Sequence, residues 1–306
     1  MANEDAVRAT NDDAAQCKRF AVERGYWEDP FISLLTTKGH ASHAPEINRG
    51  YYARVWAMRS CIQRFLKLTN CNCQIVNFGA GFDTTYWLLK DLKLSPKTYV
   101  EVDFSMVTAR KCHQIRRNEL LLKTIAGEDG EVKISKTEIH GTDYHLVAAE
   151  VKRKLTESSI DTSLPTLFVT ECVLVYVDTE HTNNILKWIA ESFSVSMFLN
   201  YEQVNMSDRF GQVMIDNLKT RDCILSGVQD CQSMESQKQR FTNQGWQGAD
   251  GMDMSQIYKC LPDLHRIEHI EFMDEKELLD QLLSHYCIVW AWKDPDDLGL
   301  YDMTFT

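Results

Sequence analysis

The chain has 306 residues, 44% of them apolar, which is enough for one large α/β unit with additions. A formal net charge of −11, with acidic residues spread along the chain, argues against a broad nucleic-acid-binding surface. No run is long and apolar enough to span a membrane, and the start "MANEDAVRATNDDAAQ" lacks the pattern of a signal peptide, so a soluble, cytoplasmic protein with reduced thiols at its ten cysteines is predicted.

Residues 1–16 are polar and charge-mixed and read as a disordered N-terminus. Residues 17–68 form a helical preface, in which "NRGYYARVWAMRSCIQRFL" repeats apolar positions at spacings of three and four. Alternation then begins: strand "CQIVNFG", helix "DTTYWLLKDL", strand "KTYVEVDF", helix "SMVTARKCHQIRRNELLL", strand "TEIHGTD", helix "YHLVAAEVKRKL", strand in "LPTLFVTECVLVYV", helix "TEHTNNILKWIAESF" and strand "SMFLNYEQV". A polar, helix-rich stretch at about 205–262 interrupts the rhythm. The strands "RIEHIEFM" and "HYCIVWAWK" then flank the helix "DEKELLDQLLSHY". Seven strands alternating with helices predict a mostly parallel, Rossmann-like sheet in one domain over 17–306, and the interruption, falling after the fifth strand, predicts a helical cap over the carboxyl edge.

The first strand runs into Gly79-Ala80-Gly81, then Phe82-Asp83-Thr84-Thr85. Glycines let the backbone turn tightly and approach a ligand. Asp103 ends the next strand, 22 residues after Gly81, where a carboxylate can accept hydrogen bonds from ribose hydroxyls. Both a nicotinamide dinucleotide and S-adenosylmethionine carry that ribose. An aspartate at the helix start repels a pyrophosphate, whereas S-adenosylmethionine has none, and its ammonium suits an acidic or carbonyl-rich loop. Asp143 follows the expected third strand, in reach of an adenine amino group or as a helix cap. Glu171 lies in the apolar run "FVTECVLVYV", where a carboxylate is costly unless paired.

"APEINRGYYARV", "NFGAGFDTTYW", "EVDF", "ECVLVYV" and "NYEQVNMSDRFGQVM", in that order, resemble the leucine carboxyl methyltransferases, which esterify the C-terminal leucine of the catalytic subunit of protein phosphatase 2A. The resemblance runs from about Cys17 to the C-terminus. It implies a seven-stranded S-adenosylmethionine-dependent methyltransferase with a helical cap, yielding S-adenosylhomocysteine, and contacts to the cofactor from Lys18, Arg54, Gly79, Asp103, Asp143 with Tyr144, and Glu171. The implied partner is the phosphatase, through its tail and its folded body, and the implied outcome is control of holoenzyme assembly. A sister group acting on a modified base in transfer RNA carries a further C-terminal repeat domain, for which this chain is read as too short.

Such an enzyme needs no general base, because its nucleophile is already an anion. It needs cations that orient carboxylates, and Arg54 and Lys18 are the candidates for catalysis. No metal site is expected: Cys71-Asn-Cys73 is one residue short of a CxxC and has no matching pair. Trp290 and Trp292 read as core. The helix "DRFGQVM" opens the cap, so Asp208 and Arg209 are candidates to meet the substrate tail.

Overall fold

The computed structural model describes residues 4–37, 39, 42–127, 130–148, 160–274 and 276–305. Helix α1 (Glu4–Glu23) opens the chain. Residues 4–16, expected to be disordered, are therefore helical. The physical reason is tertiary: Ala15 and Ala21 are buried in the main apolar cluster, and Lys18 reaches across to an acidic group on the sheet, so the helix gains from packing what its composition lacks.

A short α2 (Ile32–Leu35) leads to α3 (Pro45–Leu68), which has proline in its first turn and buries Tyr52, Val55, Met58, Ile62 and Phe65 along one stripe. Asn70 and Cys71 then adopt left-handed conformations, turning the chain into β1 (Gln74–Phe78). Cys71 and Cys73 serve that turn and the core behind it. Next come α4 (Thr85–Asp91), β2 (Thr98–Asp103), α5 (Ser105–Arg117) and α6 (Glu119–Ala126). One helix was expected for the last two. Asn118 divides them because its side-chain oxygen accepts the Leu120 and Leu121 N–H groups, which caps a new helix.

The expected strand "TEIHGTD" is corrected. Two-residue strands β3 (Lys133–Ile134) and β4 (Ile139–His140) form an antiparallel ribbon, and the parallel strand is β5 (Tyr144–Ala148), in a segment read as helix. The rest of that expected helix, 149–159, lies outside the described residues. The chain continues through β6 (Thr166–Glu171), a 3₁₀ turn at Leu174–Tyr176, α7 (Thr179–Ser192) and β7 (Ser196–Gln203).

The expected cap region contains α8 (Arg209–Lys219), a 3₁₀ turn at Val228–Cys231, α9 (Met234–Thr242), β8 (Gly248–Asp253) and α10 (Met254–Lys259). Helices α11 (Leu264–Glu268) and α12 (Lys276–Ser284) precede β9 (Tyr286–Lys293). The expected strand "RIEHIEFM" is thus wrong: its first three residues lie in α11, and the outer partner of the last strand is the glycine-containing β8. Gly248 lies against Trp292, where a Cβ would sit 2.3 Å from Cζ2, so this edge requires a residue that strand propensity disfavours.

Among the described residues one sheet of nine strands has the order β3-β4-β5-β2-β1-β6-β7-β9-β8. Strands β5, β2, β1, β6 and β7 are parallel, and β9 runs antiparallel between β7 and β8. The class is the expected α/β one, with two strands more than the seven anticipated. Side chains alternate between two apolar layers: Ile75, Tyr99, Leu167 and Leu199 pack with α1 and α3, while Val76, Val100, Phe168 and Phe198 pack with α7 and α9. No helix among the described residues is long and apolar enough to cross a membrane. The strand order reverses between β1 and β6, and in open α/β sheets the crevice at that point, outside the carboxyl ends, is where ligands bind.

Candidate active site at the carboxyl edge

Three of the singled-out segments meet at this crevice because they continue from the carboxyl ends of neighbouring strands. Gly79 follows β1, Asp103 ends β2 and Glu171 ends β6. Gly79 and Gly81 both hold positive φ, +64° and +51°. Their missing side chains also admit protein neighbours: a Cβ on Gly79 would lie 2.5 Å from Val173 Cγ2, and one on Gly81 2.0 Å from Asn11 Oδ1 of α1. Val173 is delivered there by Cys172, which takes φ +57° directly after β6 and donates its N–H to Tyr201 O at 2.7 Å.

Asp103 accepts the Gly81 N–H on Oδ2 and the Phe104 N–H on Oδ1, each at 2.7 Å. Burial raises its pKa above the ordinary value, against the pull of these two donors and of Lys111. One lone pair on each oxygen is left for further donors. Asp83 sits just ahead of α4 and accepts the Thr85 N–H at 2.9 Å, so it caps from two positions before the first helical residue.

Arg54, on the buried stripe of α3, and Lys18, on α1, both reach Glu171. The lysine Nζ is 2.8 Å from Oε1, and the arginine donates from Nε to the same oxygen. The guanidinium lies over the Tyr201 ring, 4.5 Å from its centroid, with Tyr51 at 5.3 Å. Burial by itself would lift the Glu171 carboxyl; Arg54 and Lys18 outweigh it and hold the group down at about 2. Two cations and one carboxylate from elements 117 and 153 residues apart therefore form one cluster beside the glycine loop. Tyr51 and Tyr201, which frame it, carried no sequence signal beyond their proximity to Arg54 and "NYEQV".

Asp143 and Tyr144 are not brought there. They lie at the amino end of β5, on the opposite edge of the sheet, since Tyr99 at the start of β2 is the register partner of Tyr144. Asp143 accepts from Tyr86 Oη at 2.7 Å and pairs with Lys90, while Tyr144 Oη donates to Glu101 at 2.6 Å. Assigning the strand to "TEIHGTD" put the strand end five residues too early. The carboxyl end of β5 is Ala148, and the residues following it lie outside the described ones.

Asp208 has an occupation of its own: it caps α8 by accepting the Gly211 N–H at 2.8 Å and faces His285 Nε2 at 3.0 Å. Trp290 and Trp292 lie in or against the core, as expected.

The residues at the crevice suit S-adenosylmethionine. Glu171 matches an ammonium and Arg54 a carboxylate, Asp103 has lone pairs free for ribose hydroxyls, and the buried Asn11 Nδ2 beside Gly81 has no hydrogen-bond partner among the described residues. No group of three or more metal-ligating side chains occurs among the described residues.

Residues 6–190 match the family model for leucine carboxyl methyltransferase. The chain is 47% identical over 313 residues to leucine carboxyl methyltransferase 1 of Bos taurus, covering 99% of this chain and 94% of that protein. It is 35% identical over 302 residues to tRNA wybutosine-synthesizing protein 4 of Homo sapiens, where it covers 94% of this chain but only 44% of the relative. A solved geranyl diphosphate methyltransferase, in complex with GPP and sinefungin, has the same fold at 9% identity, with a TM-score of 0.50 over 94% of this chain and 98% of that one. With its glycine loop and cation cluster at the switch point of such a sheet, and matched over most of its length, the chain is a methyltransferase and belongs to the leucine carboxyl methyltransferase family.

Proposed function

We propose that this protein transfers the methyl group of S-adenosylmethionine to the α-carboxylate of the C-terminal leucine of the protein phosphatase 2A catalytic subunit in the cytosol, and so regulates phosphatase assembly. The observation that carries the reading is the convergence of Arg54 and Lys18 on Glu171 at the switch point, in a chain 47% identical to leucine carboxyl methyltransferase 1 of Bos taurus. The same cluster supports cofactor contacts from Lys18, Arg54, Gly79, Gly81, Asp103 and Glu171.

A chain-terminal carboxyl group has a pKa of about 3.3–3.7 and arrives ionised, so no residue need remove a proton. When bound, S-adenosylmethionine supplies an electrophilic methyl on sulfur; a C–O bond forms as the C–S bond breaks, and S-adenosylhomocysteine leaves. The chain's own residues position the reactants. Arg54, held by Glu171 through Nε and by the Tyr201 face, keeps its terminal nitrogens for a ligand carboxylate in a fixed plane. Lys18 shares the charge of Glu171, so that neither cation clamps the nucleophile so tightly as to weaken it. The polar face of α8, with Arg209 in its first turn, is part of the surface that meets the phosphatase.

The test is transfer of labelled methyl to the holo-phosphatase and to a form lacking the terminal leucine. Base-labile label on the first alone is the expected result; label on both overturns the assignment of the acceptor. Calorimetry with S-adenosylmethionine, S-adenosylhomocysteine and NAD separates this reading from a nicotinamide-dependent dehydrogenase or a binding module without activity, and binding of NAD alone would reverse it.

A further inference from the structure

Beneath the glycine loop an ion pair is sealed in the core. The side chains of Lys111 on α5 and Glu101 on β2 have no solvent exposure, and Nζ lies 2.6 Å from Oε2. The same oxygen accepts the Tyr144 hydroxyl at 2.6 Å, while Glu101 Oε1 has no hydrogen-bond partner among the described residues. Burial lifts the Glu101 carboxyl to about 7 against the pull of Lys111. A pair so placed is poor value as a source of stability, because taking both charges out of water costs about as much as their attraction returns, and an apolar pair of similar volume often does as well.

Lys111 makes one further contact that no apolar side chain can make. Its Nζ donates to the carbonyl oxygen of Asp83 at 2.8 Å. Asp83 closes the glycine loop: its N–H donates to Ala80 O at 2.9 Å, and its side chain starts α4. The loop's backbone is tied by Gly79 N–H and Ala80 N–H to Val102 O at 2.8 and 3.4 Å, by Gly81 N–H to Asp103, and by Asp83 O to Lys111. The first three hold its near arm to β2. The last is the hydrogen bond that ties its far arm to α5, beside the Arg110 guanidinium over the Phe82 ring.

We infer that Lys111 is a positioning residue for cofactor binding: its buried amine, held in place by Glu101, fixes the Asp83 carbonyl and with it the path of the Gly79–Asp83 backbone. This rests on the loop being the cofactor loop. Glu101 aims the lysine and also accepts the Tyr144 hydroxyl; glutamine at this position keeps an oxygen acceptor, so removing the charge spares the loop while the amine still donates to Asp83. Removing the amine leaves the Asp83 carbonyl without this donor and loosens the far arm.

The experiment compares the full-length unsubstituted protein, Glu101→Gln, and Lys111→Met combined with Glu101→Gln, each titrated calorimetrically with S-adenosylhomocysteine and melted in parallel. Glu101→Gln is expected to bind within about threefold of the unsubstituted protein. The double variant is expected to bind at least about tenfold more weakly, the scale of one lost buried hydrogen bond, with a melting temperature close to that of Glu101→Gln. Its KM for S-adenosylmethionine rises accordingly while kcat changes little. Should that double variant not fold, Lys111→Met with Glu101→Leu repeats the comparison on an apolar pair. A double variant that binds as tightly as Glu101→Gln overturns the positioning role and leaves the loop assignment standing; an unsubstituted protein that does not bind S-adenosylhomocysteine overturns both.

Discussion

At the scale of single residues, Arg54 and Glu171 carry the argument. If Arg54 works by orientation, Arg54→Lys retains the charge and loses the planar fork, so kcat/KM is expected to fall at least about tenfold. Activity within a few-fold of the unsubstituted enzyme in the methyl-transfer assay would show that charge alone suffices. Glu171 makes a prediction about pH. Its folded pKa is depressed to about 2, so its contribution to stability is complete above the ordinary carboxylate value and is lost as pH falls towards the folded value. The shift of about two units from an ordinary value of about 4.3 corresponds to about 3 kcal/mol. In urea unfolding, Glu171→Gln is expected to lie below the unsubstituted protein at pH 7, with the gap narrowing from pH 5 to pH 3. A gap that stays constant over that range would mean that Arg54 and Lys18 do not favour the ionised form.

At the scale of elements, α1 is part of the site. Lys18 ties it to β6, Asp12 pairs with Arg110 of α5 at 2.9 Å, and Asp13 pairs with Arg221 beyond α8. The last two pairs are partly exposed and are worth little energy each; buried Ala15 and Ala21 and the Lys18–Glu171 pair hold the helix, which brings Asn11 against Gly81. Gly81→Ala faces two costs, a positive φ worth about 1–2 kcal/mol and a clash with Asn11. Affinity for S-adenosylhomocysteine is expected to fall, and Asn11→Gly in the same chain is expected to restore only the steric part. Full recovery in calorimetry would show that the backbone conformation of Gly81 is dispensable.

Across the whole molecule, the site is set apart from the outer edge of the sheet. The site occupies the middle of the sheet, at β2, β1 and β6, whereas β8 is the far edge, separated from β6 by β7 and β9. Gly248→Ala would drive a Cβ into the Trp292 ring, an overpacking of the kind that costs about 1–3 kcal/mol. The melting temperature is expected to drop while the KM for S-adenosylmethionine is unchanged. A changed KM would mean that this edge is coupled to the crevice.

Short apolar runs and helical patterns were legible wherever local preference agreed with burial, as in β1, β2, β6, β7 and β9 and in the stripe of α3. They failed where it did not. Strand β8 is built on Gly248 and Gly251, which local propensity rejects and which the Trp292 ring and the β9 backbone require. "YHLVAAEVKRKL" was read as one helix, although its first five residues complete a parallel strand, and that misplacement sent Asp143 and Tyr144 to the wrong edge. Glu171 was flagged by the cost of a carboxylate in an apolar run; the same reasoning applied to Glu101 would have found the partner of Lys111. By itself the sequence determined the α/β class, the glycine loop with Asp103, and the family. Only the tertiary structure decided that Lys18 and Arg54 share Glu171 and that α1 lies over Gly81, because contacts between residues so far apart in the chain leave no local pattern and form only when the strands align their carboxyl ends.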